Sequence, residues 1–72
     1  MEFKAEIGAI GKNIANERKR QNLTQHRLAD MANMNEGYLC EVEKGIANPT
    51  IGKLLSLAEA LGVPVSSLLS GI

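Results

Sequence analysis

The chain has 72 residues, and its eight Lys and Arg residues balance eight Asp and Glu residues to a net charge of zero. This length predicts one domain, residues 1–72, and a single cysteine excludes an intrachain disulfide. No apolar run approaches the roughly 20 residues of a membrane span, and the first four residues lack the order of a signal peptide. We therefore expect a cytoplasmic protein with no membrane association. The zero net charge counts against the simplest nucleic-acid-binding interpretation, since such domains are often strongly basic.

The charges are distributed unevenly along the chain. Residues 1–27 carry six Lys and Arg against three Glu, whereas residues 28–72 carry two Lys against five Asp and Glu. Two interpretations remain open at this point. A dipolar surface presents a basic face to phosphate, or a mixed and solvated surface has no partner.

The first predicted helix runs from about residue 7 to residue 21, with Ile7, Ile10 and Ile14 at helical spacing. Gly8 and Gly11 either permit a close helix–helix approach or leave the amino end of this helix frayed. Asn22 is expected to end the segment in the left-handed conformation, which asparagine tolerates better than most residues.

Two short helices are predicted next, at residues 25–32 and 36–44. Thr24 and Asn35 are suited to cap them, because their side-chain oxygens accept hydrogen bonds from the first free backbone amides. Residues 33–35 form the turn between the helices, and Gly45 ends the second helix. The residues expected to point inward are Leu28, Ala29, Ala32, Leu39 and Val42. Two helices joined by a three-residue turn predict a helix-turn-helix at about residues 24–45.

The remaining chain predicts a fourth helix at residues 51–61, capped by Thr50 and closed by Gly62, and a short fifth helix at residues 65–69. No segment shows the alternation of a strand, so the fold class is all-α with five short helices. Several apolar residues exceed what one buried stripe needs. They either complete the small core or form a two-fold contact in a homodimer, and they are Leu55, Val65, Leu68, Leu69 and Ile72.

A set of residues between about residue 7 and residue 69 has the identities and spacing of a known family. They are Ile10-Gly11, Ile14, Arg18, Leu23-Thr24-Gln25, Leu28-Ala29, Tyr38-Leu39, Val42-Glu43-Lys44-Gly45, Asn48-Pro49-Thr50, Leu54, Leu57-Ala58 and Ala60-Leu61-Gly62-Val63. With these residues the chain resembles the phage-repressor-like helix-turn-helix domains, the lambda-repressor-like and Cro-like group also named after the xenobiotic-response-element regulators. One departure is Asn33, where the family turn often has glycine.

The resemblance implies a small sequence-specific DNA-binding transcriptional regulator, repressor-like, that binds double-stranded DNA as a homodimer through helices two and three. Gln25 matches a family residue that contacts the DNA backbone and braces helix three. Arg18 and Glu43 match an ion pair between helices one and three. Tyr38 matches a position that often contacts phosphate, and it alternatively half-buries its ring.

The outward face of helix three would meet base edges through Asn35, Glu36, Gly37, Cys40 and Glu41. Arg, Lys, Asn and Gln make the commonest specific base contacts, whereas Glu accepts from cytosine N4. Arg27, Lys44 and Lys53 are the phosphate contacts we expect from a wider set that adds Lys12, Arg18–Arg20 and His26. The alternative is a protein-interaction module, antitoxin-like or an adaptor, on the same fold. The sequence predicts no metal site, no cofactor and no enzyme chemistry.

Overall fold

The computed structural model describes residues 2–72, so the first residue of the predicted domain lies outside the described range. Within this range the chain forms five α-helices and no strand, which confirms the predicted all-α class. The helices are α1 (Lys4–Arg20), α2 (Gln25–Met31), α3 (Glu36–Glu43), α4 (Ile51–Leu61) and α5 (Val65–Leu68).

The three predicted caps are present and explain where α2, α3 and α4 begin. The Thr24 hydroxyl accepts from the Arg27 amide at 3.0 Å, and the Thr50 hydroxyl accepts from the Lys53 amide at 3.2 Å. Asn35 Oδ1 accepts from the amides of Gly37 at 2.7 Å and Tyr38 at 3.2 Å. Each cap satisfies donors that have no partner within the first helical turn.

The first helix is longer than predicted. It begins at Lys4 instead of residue 7, directly after Phe3, whose left-handed conformation (φ 63°) turns the chain into the helix. After its end, Asn22 adopts the predicted left-handed conformation (φ 59°), and Asn33 does the same (φ 56°) in the turn between α2 and α3. The turn therefore tolerates asparagine where relatives of the predicted family often have glycine.

The core lies where α1, α2, α3 and α4 meet, and α5 packs against α1 and α4 and adds Leu68 to it. All five residues predicted to point inward from the helix-turn-helix are buried. The core cluster consists of Ile10, Ile14, Leu28, Ala29, Ala32, Leu39, Val42, Leu54, Leu57, Ala58, Leu61 and Leu68.

Gly11 brings α1 into direct contact with the carboxyl end of α3. A Cβ atom at this position would stand 2.2 Å from the backbone oxygen of Val42. At the same crossing, a Cβ on Gly45 would stand 3.0 Å from the Cα of Gly8. Close approach is therefore the explanation for Gly11, whereas a Cβ on Gly8 itself would meet no atom within 4 Å, and both glycines lie inside the helix.

Two side-chain amides, one in α1 and one directly after it, bind backbone oxygens at or just beyond the carboxyl ends of other helices. Asn13 Nδ2 donates to the backbone oxygens of Leu68 at 3.1 Å and Ser70 at 2.7 Å. Gln21 Nε2 donates to the backbone oxygen of Leu61 at 2.7 Å. Leu61 and Leu68 are the last residues of α4 and α5, where no intrahelical donor reaches the carbonyl, and Ser70 lies just beyond α5.

Part of the predicted dimer surface belongs to the core instead. Leu68 is fully buried (0% exposed), so its assignment to a two-fold contact was wrong. Val65 and Leu69 are half-buried and pack against the core. The short α5 packs against α1 and α4, and its apolar side is used there. Leu55 and Ile72 remain exposed, at 52% and 58%.

Candidate nucleic-acid interface

The third helix has one buried face and one exposed face. Leu39 and Val42 are fully buried, whereas Glu36, Glu41 and Lys44 are exposed. Cys40 lies between Glu36 and Lys44 on the same line of the helix and is half-buried. The exposed face therefore presents mainly two carboxylates, with one ammonium group at its far end.

An ion pair fixes the carboxyl end of α3 to α1. Arg18 Nε donates to Glu43 Oε2 at 2.8 Å and Nη2 donates to Oε1 at 3.0 Å, with side chains only 11% and 6% exposed. Arg18 Nη1 also donates to the backbone oxygen of Leu23 at 2.8 Å. The hydrogen bond to Glu43 raises the pKa of the Arg18 guanidinium above its ordinary value. This two-pronged geometry is the one that suits a guanidinium and a carboxylate.

Gln25 joins the same carboxylate from α2. Its Nε2 donates to Glu43 Oε1 at 2.9 Å, so Glu43 receives hydrogen bonds from both preceding helices. The amide thus supports α3 from inside the helix-turn-helix. Its contact with DNA stays a prediction.

Two residues predicted to face DNA also have structural roles. The Asn35 side-chain oxygen already accepts hydrogen bonds from two backbone amides at the start of α3. Its Nδ2 group therefore remains as the donor for any base contact. Tyr38 is half-buried and packs against the core, which is the structural alternative considered for it. Gly37 is exposed, and a Cβ added there would stand 3.0 Å from Asn35 Oδ1.

His26 lies against Glu36, a contact that the sequence did not predict. Its Nδ1 is 3.2 Å from Glu36 Oε1, and the two side chains are 81% and 52% exposed. They border a hollow of about 230 Å³ that is also lined by Ala29, Asp30 and Met34. No helical spacing relates residues 26 and 36, so only the tertiary arrangement of α2 and α3 reveals the pair.

The candidate phosphate contacts divide into two groups. Arg27, Lys44 and Lys53 are exposed, and Lys44 lines a hollow between α1 and α3 together with Lys12. Arg18 is paired with Glu43 and Arg20 is paired with Glu17. Arg18 is therefore a structural residue, and its inclusion in the wider phosphate-binding set was wrong.

Residues 2–72 contain no group of three or more His, Cys, Asp or Glu side chains arranged to hold a metal ion. Cys40 is a free thiol. In the same described range, every helix is too short or too polar to cross a membrane.

Comparison with known proteins places this geometry in a family. A helix-turn-helix family model matches residues 14–68. An immunity repressor protein of Bacillus phage phi105 is 39% identical over 59 residues, which are 82% of this chain but 41% of the repressor. The control protein C.SmaI of Serratia marcescens is 33% identical over 61 residues, which are 85% of this chain and 73% of that protein.

Solved structures agree with these sequence matches. The restriction-modification controller protein C.AhdI of Aeromonas hydrophila superposes with a TM-score of 0.87 at 28% identity, over 89% of this chain and 97% of that one. The SinR protein, in its complex with the SinI protein, gives a TM-score of 0.82 at 32% identity, over 86% and 61% of the two chains. The chain therefore belongs to the helix-turn-helix family of DNA-binding transcriptional regulators.

Proposed function

We propose that this regulator binds a specific operator in a repressor-like manner, in the cytoplasm and without any catalytic step, by laying α3 in the major groove. The observation that carries the proposal is that the two faces of α3 differ in burial. Its inner face is buried and held by Arg18 and Gln25 through Glu43, while its outer face carries side chains free to contact bases. Helix-turn-helix proteins use a second helix supported in this way to enter the groove.

The outer face supplies the base contacts and its surroundings supply the phosphate contacts. Glu36 and Glu41 accept hydrogen bonds from cytosine N4, and Cys40 offers a small surface to a thymine methyl group. Asn35 donates through its amide nitrogen, and Gly37 lets the backbone approach the bases. The residues assigned to phosphates are Gln25, Arg27, Tyr38, Lys44 and Lys53.

The acidic outer face makes the phosphate contacts decisive for affinity. Glu36 and Glu41 approach the groove with the same sign of charge as the phosphates, and the chain has no net positive charge to offset them. Each neutralised phosphate adds about −0.9 to the slope of log K against log salt. A dimer with three to four contacts in each protomer would show a slope of roughly −5 to −7.

A homodimer would double the interface. Leu55 and Ile72 keep about half or more of their surface exposed, and Ile51, one turn before Leu55 on α4, is 65% exposed. Apolar side chains in such a row are suited to pack against a second copy. A two-fold pair of this kind would place its two α3 helices about 34 Å apart, one turn of DNA.

The proposal is tested by titrating random-sequence duplex DNA at about 50 mM salt and then selecting a preferred duplex from a library. We expect an inverted-repeat site whose binding is weakened by Gln25→Ala and by Glu36→Ala. Glu6→Ala is the matched control, because Glu6 is an exposed carboxylate on α1, outside the helix-turn-helix and outside the exposed row on α4. Absence of any DNA binding at this salt concentration would refute the proposal.

A protein-interaction module is the second candidate, and the two exposed carboxylates of α3 favour it. An acidic face of this kind suits a basic protein surface as well as cytosine amino groups. SinR, which shares the fold, was solved in complex with another protein, SinI. Retained binding of a protein partner by a chain that binds no DNA would favour this candidate.

A further inference from the structure

We propose that His26 bridges the Glu36 carboxylate and a DNA phosphate, so that each protomer takes up a proton when it binds DNA. This inference rests on the proposed function, because it concerns the DNA-bound state of the same face. It gives His26, one of the wider set of candidate phosphate contacts, a defined partner and a regulatory property, which is proton uptake on binding. The starting observation is the 3.2 Å contact between His26 Nδ1 and Glu36 Oε1.

The contact determines which imidazole nitrogen carries hydrogen. An ionised carboxylate only accepts hydrogen bonds, so His26 must donate to Glu36 through an Nδ1–H group. In the neutral imidazole the other nitrogen, Nε2, is then an acceptor without hydrogen. With 81% of its side chain exposed, His26 keeps this second nitrogen accessible to a ligand.

The position of the pair brings a phosphate to the second nitrogen. Glu36 is the first residue of α3, the helix proposed to enter the groove, and His26 reaches it from α2. The major groove is wide enough for one helix and is bordered on both sides by phosphates. A residue beside the first turn of that helix therefore lies close to the phosphates. Phosphate oxygens also only accept hydrogen bonds. An imidazole placed between a carboxylate and a phosphate must therefore donate from both nitrogens, which requires the protonated, cationic form.

The charges around the hollow also favour the protonated form of His26 in the DNA complex. Asp30 of α2 and Glu36 of α3 are the charged side chains that line the hollow with His26. A phosphate approaching this hollow meets two carboxylates unless a cation stands between them. A proton gained by His26 supplies that cation where the like charges meet, and histidine is the ordinary side chain that gains one between about pH 8 and about pH 5.

The experiment measures the affinity of the full chain for a random-sequence duplex and for a selected duplex between about pH 8 and about pH 5.5 at fixed ionic strength. We expect the association constant to rise as the pH falls, by up to about tenfold per pH unit for each protomer that takes up one full proton. Calorimetry in buffers of different ionisation enthalpy counts the protons directly, and we expect uptake approaching one per protomer.

Three variants isolate the bridge. His26→Gln keeps an amide donor for Glu36 but does not titrate, so it should lose the proton uptake. Glu36→Gln should also reduce the proton uptake. Its amide group can donate to Nδ1 of a neutral imidazole, which leaves Nε2–H to donate to the phosphate without an added proton. Asp30→Asn removes a carboxylate that lines the same hollow without a hydrogen bond to His26, so it should reduce the proton uptake less than Glu36→Gln does.

The outcomes distinguish this inference from the proposed function. Equal proton uptake in the native chain and in His26→Gln, with DNA binding intact, would overturn the bridge and leave the DNA-binding role standing. Loss of uptake in Asp30→Asn but not in Glu36→Gln would also overturn it. Absence of binding to both duplexes at every pH would instead overturn the proposed function.

Discussion

Arg18 and Glu43, 25 positions apart in the chain, form a two-pronged ion pair with both side chains almost withdrawn from solvent. Because Glu43 belongs to α3 and Arg18 to α1, the pair fixes the position of α3 against α1. Removal of one partner leaves the other charge partly buried and unpaired, which costs more than the pair itself contributes.

We therefore expect Glu43→Ala to lower the free energy of unfolding by about 3 kcal/mol. Chemical denaturation monitored by circular dichroism measures this change. The double variant Arg18→Met with Glu43→Leu should lose less stability than Glu43→Ala, because no uncompensated charge remains. A Glu43→Ala variant as stable as the native chain would show that the pair is not structural.

The crossing of α1 and α3 at Gly11 leads to a second prediction. In Gly11→Ala the added methyl group would overlap the backbone oxygen of Val42, which belongs to the helix and cannot rotate away. We expect a loss of about 1–3 kcal/mol in unfolding free energy, the usual cost of forcing an extra group into a packed site. Thermal and denaturant unfolding measure it.

Gly8→Ala is the matched control for Gly11→Ala, in the same helix and three residues away. A Cβ at Gly8 meets no atom within 4 Å. Alanine favours the helix over glycine by roughly 0.5–1 kcal/mol, so this substitution should stabilise the chain. Opposite signs for the two substitutions are the expected result, and equal destabilisation would contradict the described crossing.

The exposed row on α4 predicts the behaviour of the chain in solution. Leu55→Lys should shift a dimer towards the monomer with little change in the stability of the monomer, because Leu55 is 52% exposed. Sedimentation equilibrium in the absence of DNA measures the shift. Leu68→Ala should instead lower the unfolding free energy by about 2–5 kcal/mol, since Leu68 is buried in the core.

Ile46→Lys is the control for Leu55→Lys. Ile46 is an exposed isoleucine, at 63%, in the segment that follows α3 and outside α4 and α5. It receives the same charge without touching the proposed contact. A dimer weakened equally by both substitutions would move the two-fold contact away from α4.

The acid dependence of stability is predicted from Glu17. Hydrogen bonds from Arg20 and then Gln21 lower the pKa of this carboxyl below its ordinary value. A carboxyl with a lowered pKa in the folded chain contributes stability above its unfolded pKa, and this contribution is lost as the pH falls through the folded value. Glu17→Gln should therefore melt at a lower temperature than the native chain at pH 7. The two melting temperatures should converge below about pH 4.3.

A scan of melting temperature against pH tests the Glu17 prediction. Glu59→Gln serves as the comparison, because Glu59 is an exposed carboxyl on α4. A difference between Glu17→Gln and the native chain that stays constant from pH 7 to acid would contradict the assigned cause.

Local chemistry made much of the fold predictable from the sequence. Thr24, Asn35 and Thr50 each cap a helix through their own side chains, and the left-handed Asn22 and Asn33 lie where the turns require them. Such features depend on a few neighbouring residues, so the chain order reveals them. The helix bounds of α2, α3 and α4 accordingly agree with prediction to within one residue.

Contacts between residues far apart in the chain were harder to predict from the sequence. Asn13 bonds to a carbonyl 55 positions away, and His26 meets Glu36 from another helix. Either pairing becomes visible only when the helices are packed. The sequence left open whether Leu68 completes the core or joins a two-fold contact, because the predicted fifth helix, residues 65–69, is too short to display a periodic face. The Arg18–Glu43 pair could be anticipated only through resemblance to a family.

The residues that place α3 and the residues exposed on it are different side chains. Gly11, Arg18, Gln25 and Glu43 set its position from the interior, whereas Glu36, Glu41 and Lys44 face outward. The proposed preference for a DNA sequence can therefore change through the outward residues without a change in the position of α3. An exchange of the outward residues for those of a relative should transplant that relative's operator preference onto an unchanged scaffold.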